Sequence, residues 1–251
     1  MARSSAYNQV TIIHSDICYN PELYLPLWNS RLINVHYRHF IRSLTYLQGL
    51  DKWNSLGRFA NYPPTAIDWE LTGSLLQPIE AGTSFLASRH KRNLLALMLE
   101  ELPTLSKLQV HKPHVYDKDW TCCRCNLDEP ENFNHLWLCS DSDTILQNNI
   151  IPQAKILLQD TITLFASDTS NLNQVFANSN LWRLPSTNQT NVHTFFSFID
   201  LIKGLIPSSL TTAIRQQGLS TSQVSLTLRT LLEYIQTTCW DLIWTPCCEK
   251  F

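Results

Sequence analysis

Four residues in the middle of the chain restrict it more than any other feature. Cys122 and Cys125 are separated by two residues, nine residues follow, and His135 and Cys139 close the pattern with three between them: C-x2-C-x9-H-x3-C. Zinc takes four soft or borderline donors in a tetrahedron. A C-x2-C turn sets two thiols on one side of it, and His135 and Cys139, four apart, share one face of a helix. Four protein donors leave no position for water, so the pattern predicts a structural zinc site and not a hydrolytic one. Such a site contributes roughly 10–16 kcal/mol of apparent binding free energy. That outweighs the cost of ordering a segment as rich in turn formers as 126–134, with Pro130, Asn132 and Asn134 among Asp128, Glu129 and Glu131. Asn132 or Asn134 is a candidate cap for the helix bearing His135, and Leu136, Trp137 and Leu138 are its docking face. Cys123 competes with Cys122 as ligand, but only Cys122 has the usual spacing. A weaker alternative joins Cys123 to His111 and His114, around the awkward Pro113.

The rest of the chain reads as helical. Only six Gly in 251 residues is few for a sandwich or barrel with its many tight turns, while 44% apolar residues and eight Trp suit a packed core. The fold class expected is therefore mainly α: a bundle-like helical domain with a small CCHC zinc module in its middle. Three regions follow: 1–82, an N-terminal helical lead-in; 83–142, a helix plus the zinc module; and 143–251, a C-terminal helical region. A first helix, capped by Asn29 or Ser30, buries Ile33, Tyr37, Phe40, Ile41, Leu44 and Leu47. A connector at 58–82 is broken by Pro63, Pro64 and Gly73 and pinned by Trp69 and Leu71. A second helix runs from Thr83 or Ser84 to Leu102, where Pro103 stops it. Residues 104–119 have no clear period. Asp141, Ser142 or Asp143 caps a long helix to Phe165, kinked at Pro152. A polar loop at 167–191 surrounds Val175, Phe176 and Trp182, and a helix spans His193 to Gly204. The last helix, capped by Ser220 or Ser222, presents Val224, Leu228, Leu231, Leu232, Ile235, Cys239 and Leu242 on one face until Pro246.

Charge and cysteine usage limit the setting. The net charge is −2. It divides into 13 basic against 10 acidic residues over 1–125 and 6 against 11 over 126–251, so nucleic-acid contact favours the first half. The densest basic cluster is Arg89-His90-Lys91-Arg92. It lies near a helix start, against the macrodipole preference, and Arg124 on the zinc turn and Lys118 nearby extend the same surface. The start of the chain lacks a secretory pattern, and its longest apolar run, Leu94 to Leu99, is too short to span a bilayer. Eight Cys without a signal then point to a reducing, intracellular setting in nucleus or cytoplasm, where spaced Cys and His mean metal more than disulfides. Cys239 suits core packing, Cys247 and Cys248 lack a local His, and His36 and His39 belong to a basic helix face.

At the Cys/His segment the chain resembles the reverse-transcriptase-associated zinc-binding domain of retroelements. The matching pieces are Arg92 to Pro103, then Cys122 and Cys125, the acidic Glu129 to Glu131, and the ending His135-Leu136-Trp137-Leu138-Cys139. They cover about residues 80–142. The chain is also similar to a multicopy fungal group in which this module follows a ribonuclease H domain, through Pro26-Leu27-Trp28-Asn29 and Ile243-Trp244-Thr245-Pro246-Cys247. The resemblance implies a module accessory to a reverse transcriptase or ribonuclease H, with RNA or DNA as a partner. It also marks a departure. Asp16, Glu22, Asp51, Asp68 and Glu70 are scattered, so the carboxylate constellations of those enzymes are not visible and no catalysis is expected of this chain. The competing expectation is a zinc-stabilised protein-interaction scaffold that presents Trp137 and the C-terminal helix to a partner. An active nuclease would need clustered acids.

Overall fold

The computed structural model describes residues 62–75, 85–125, 127–166, 179–185 and 196–250, together with scattered positions between 27 and 45. The chain divides into two compact units, Met1–Ala60 and Asn61–Phe251. In the first, β1 (Leu27–Trp28) and β2 (Arg31–Leu32) form a two-residue antiparallel ladder that pairs Leu27 with Leu32 and Trp28 with Arg31. A helix cannot start at Ser30 while Arg31 and Leu32 are extended, so the helical residues come later, at 38, 40–42 and 45. Ile41 is 57% exposed, so the expected stripe is not wholly buried. Asn29, Ser30, Ile33, Tyr37, His39, Leu44 and Leu47 fall outside the described residues.

The second unit is mainly helical. Its elements are α1 (Trp69–Leu75), α2 (Phe85–Met98), α3 (Leu105–His111), α4 (Phe133–Leu138), α5 (Ser140–Ile145), α6 (Ile151–Thr163), α7 (Phe198–Ile202), α8 (Ser208–Arg215), α9 (Thr221–Cys239) and α10 (Thr245–Cys248). Short 3-10 turns stand at Pro64–Ala66 and Asn180–Trp182. One core draws on most of them. Leu158, Ile162, Phe198, Leu201, Ile202, Val224, Leu231 and Ile235 are all fully buried in it. At roughly 1.5–3 kcal/mol per buried aliphatic or aromatic side chain, this face-to-face packing is the main source of stability. Among the described residues no helix is long and apolar enough to cross a membrane.

Local chemistry explains the ends of these elements. Ser220 and Gln223 form a capping box at the start of α9, and Ser197 and Asp200 form one at α7. α2 ends four residues before the anticipated stop at Leu102. Glu100 adopts φ +56, the amide of Glu101 donates to the carbonyl of Ala96, and that of Glu100 to Leu97. This is a Schellman closure with a glutamate where glycine is usual. Lys203 Nζ, 2.7 Å from the Glu100 carboxylate, holds that glutamate in place. Lys203 also stands 3.5 Å from Asp200, whose carboxylate accepts from the Tyr62 hydroxyl at 2.5 Å, the Ser197 amide at 2.8 Å and the Ser197 hydroxyl at 3.0 Å. Buried charge is thus paired across α2, α7 and residue 62. Desolvation, then the Asp200 charge and hydrogen bond, push the Tyr62 hydroxyl far up from its ordinary value.

Several connectors turn out to be helical. Gly73 does not break residues 58–82. α1 runs through it, started by the Asp68 carboxylate, which accepts from the Leu71 amide at 3.0 Å. Residues 105–111 form α3, and 208–215 form α8 directly after Pro207. The N-cap of α5 is Cys139, not Asp141, Ser142 or Asp143. Val175, Phe176, Thr83, Ser84 and His193 fall outside the described residues.

Two prolines sit inside long helical runs in the same way. A π turn, Leu146–Ile150, joins α5 to α6 and ends two residues before Pro152. Another, Trp240–Trp244, joins α9 to α10 and ends two residues before Pro246. Proline cannot donate to the carbonyl four residues back and clashes with it. Widening the preceding turn by one residue moves that carbonyl away. Pro246 therefore does not end the helix, which reaches Cys248. The extra residue also rotates the face: Leu242, expected inside, is 41% exposed, while Ile243 and Cys247 are buried.

Two glycines give opposite predictions. Gly204 has φ +82, and a Cβ there would lie 3.1 Å from Gln236 Nε2, so Gly204→Ala should cost about 1–2 kcal/mol. Gly73 is helical with open space around it, so Gly73→Ala should stabilise by about 0.5–1 kcal/mol. Urea denaturation midpoints of the two variants check both signs.

Candidate metal centre

The Cys/His cluster is assembled by one turn and one helix end. The Cys122 amide donates to the Glu129 carbonyl at 3.0 Å, closing the loop that carries Cys122 and Cys125. Opposite, Asn132 caps α4 by accepting from the His135 amide at 2.9 Å, as its short amide side chain allows. Cys139 stands between two helices, as the C-cap of α4 and the N-cap of α5. Its extended backbone (φ −64, ψ 149) caps α4 and opens α5, so its side chain is fixed from both sides. Phe133, Leu136 and Trp137 anchor α4 in the core, with Phe133 and Trp137 edge to face at 6.1 Å. Trp137, 1% exposed, is thus an anchor and offers no surface to a partner, against the scaffold expectation.

The donor atoms of Cys122, Cys125, His135 and Cys139 all lie within 4.8 Å of one another, and the three cysteines are buried. His135 Nε2 is 3.1 Å from Cys125 Sγ. Its other nitrogen, Nδ1, is 2.9 Å from a Glu129 carboxylate oxygen. A carboxylate on Nδ1 fixes the tautomer that leaves Nε2 free for a cation and raises its basicity. Cys139 Sγ is 3.4 Å from Ser142 Oγ, a hydroxyl able to donate to a thiolate. Burial pushes the Cys122 thiol up to about 12, partly offset by the Cys125 and Arg124 amides directed at it. A cation must therefore displace protons to enter. Three thiols and an imidazole converging in this way can hold a metal ion.

Compared with protein-family models, with curated proteins and with solved structures, the chain matches none of them. What the site can do is therefore read from its own donors.

The other anticipated residues divide. Arg89, Lys91 and Arg92 are exposed on α2. Arg124 is not available with them. Its side chain is only 6% exposed and lies 2.6 Å from Asp141. Its Nη1 donates to the carbonyls of Ile243 at 2.7 Å and Leu242 at 3.4 Å. Leu242 is the residue four before Pro246, so the guanidinium collects a carbonyl the proline cannot use. His111 and His114 are exposed and stand apart from Cys123. Cys123 instead faces Glu131 and Cys247, a grouping that local spacing hid because 116 residues separate Glu131 from Cys247.

Arg124→Met should therefore destabilise the fold by about 2 kcal/mol, since it leaves two carbonyls and a carboxylate without their donor. Arg89→Met should stay within about 0.5 kcal/mol. Denaturant midpoints measured side by side decide; equal, small losses would mean that Arg124 is a surface residue.

Proposed function

We propose that Cys122, Cys125, His135 and Cys139 bind one zinc ion in a structural role. The unit built on them is an accessory module of retroelement origin that works beside a reverse transcriptase or ribonuclease H. The observation that carries the zinc reading is the Glu129 carboxylate on His135 Nδ1, which aims Nε2 at three buried thiols. Soft donors in a closed set of four suit zinc and leave it without a reactive position. Bound there, zinc would supply folding free energy and no chemistry on a substrate.

The origin rests on the resemblance at Arg92 to Pro103 and at Cys122 through Cys139. In this reading the chain performs no catalysis itself. Asp68 is engaged as a helix cap, Asp200 in the buried ion-pair network and Glu131 at the start of α3, which supports the assignment. Nucleic acid is contacted through Arg89, Lys91 and Arg92, whose exposure on one helix supports a weak, sequence-independent phosphate interaction.

Native mass spectrometry of the full chain tests the metal. Cys125→Ser should lower bound zinc by one ion per chain, and Glu129→Gln should weaken zinc affinity by roughly 10- to 100-fold. Unchanged zinc in Cys125→Ser would remove the site. For nucleic acid, reversing Arg89, Lys91 and Arg92 to Glu should abolish salt-sensitive binding to RNA or duplex DNA. For the duplex, the wild-type salt slope should be about 0.9 per cation engaged. A wild-type chain without salt-sensitive binding would leave a zinc-held module that does not touch nucleic acid.

A further inference from the structure

We propose a second metal site, formed by Cys123, Glu131 and Cys247, beside the Cys/His cluster and independent of it. Its donor atoms lie within 4.8 Å of one another, the same closeness that defines the first cluster. The two sites share a backbone segment and no ligand. Cys122 is buried toward Cys125, His135 and Cys139, while its neighbour Cys123 meets Glu131 and Cys247. Glu129 and Glu131 divide in the same way: Glu129 holds His135, and Glu131 belongs to the second group.

The burial of Glu131 calls for a cation. The residue is 2% exposed, and removing an ionised carboxylate from water is costly unless it is paired. One carboxylate oxygen accepts from the Leu105 amide at 3.2 Å, and the other from the Cys247 thiol at 2.9 Å. Lys250, the nearby ammonium, is directed to the Cys123 carbonyl at 3.2 Å instead. The carboxylate thus has two neutral donors and, among the described residues, no ion pair. Two cysteines and a carboxylate are a donor set for a divalent cation of the zinc class. The group supplies three protein donors, of which Cys123 is partly exposed, and Cys248 beside Cys247 is exposed.

Each cluster also contains a thiol at hydrogen-bond distance from its nitrogen or oxygen donor. The pairs are Cys125 and His135 at 3.1 Å, and Cys247 and Glu131 at 2.9 Å. Around a zinc-class ion, sulfur at about 2.3 Å and oxygen at about 2.0 Å stand about 3.5 Å apart in a tetrahedron. Loading the second site therefore requires an opening of about half an ångström. It releases the two thiol protons to water, with no change of oxidation state.

The full chain, titrated with zinc under reducing conditions and weighed by native mass spectrometry, tests this. Two ions per wild-type chain are expected, with one retained by Cys123→Ser, by Glu131→Gln and, at the other cluster, by Cys139→Ser. Cys123 is partly exposed, and the amide oxygen of Gln can still accept from Leu105, so circular dichroism should show both second-site variants folded. A wild-type chain that saturates at one ion, unchanged by Cys123→Ser, overturns the second site and leaves the first. One ion lost by Cys123→Ser but kept by Cys139→Ser overturns the first and leaves the second. If the chain without reductant loses the mass of two hydrogens, and reducing it restores no second ion, the thiols are a disulfide pair and the proposal fails.

Discussion

The carboxylate of Glu131 accepts the first amide of α3 with one oxygen and the thiol of Cys247 with the other. Its own carbonyl accepts the next amide of α3, from Ser106, at 3.1 Å. A seven-residue helix far too short to be stable alone is thereby started from a loop 26 residues downstream and joined to the end of the chain. Thr104, the local N-cap, makes no side-chain bond to the helix. The loop that carries the Cys/His donors and the helices around it are one mechanical unit because of this carboxylate. The start of α3, the loop and Cys247 of α10 all meet at this one carboxylate.

Arg124 makes a second tie from the same loop. It spans from Asp141 at the start of α5 to the carbonyls of the π turn before α10. The central loop is therefore fastened to the C-terminal helix twice, by a cation collecting carbonyls and by a carboxylate accepting a thiol. Neither tie needs the donors of the Cys/His cluster. Ordering of that cluster is shared between whatever occupies it and these ties, and the conformational entropy of a loop with Pro130 and two Asn is correspondingly reduced before any ion arrives.

Sequence reading succeeded where the deciding contacts are local. The helical class, the grouping of Cys122, Cys125, His135 and Cys139, the Asn132 cap and the Ser220 start of α9 all depend on residues within a few positions of one another. It failed where a distant partner decides. α3 shows no period because its cap comes from Glu131, and α1 survives Gly73 because Leu71 and Thr72 are buried beneath it. The early end of α2 depends on Lys203, a hundred residues on, stabilising a left-handed Glu100. Arg124 looked like a free cation because the carbonyls it serves are 118 and 119 residues away. The thiol of Cys247 gave no sign of its metal-type partners, because it has no His nearby and Glu131 lies 116 residues away.

The π turn at Trp240–Trp244 has a geometric consequence for the end of the chain. An α-helix advances about 100° per residue, so seven residues return a side chain to nearly the same bearing. Counted from the buried Cys239, an uninterrupted helix would point Pro246 inward and swing Cys247 about 80° aside. The inserted residue acts as a vernier that steps the screw back by one notch and brings Cys247 onto the bearing Pro246 would have held. Closing the wide turn with every residue kept would aim the proline ring at the interior and turn the thiol away from Glu131, whereas deleting one residue from 240–244 would make Cys247 the seventh after Cys239 and keep it on its inward bearing.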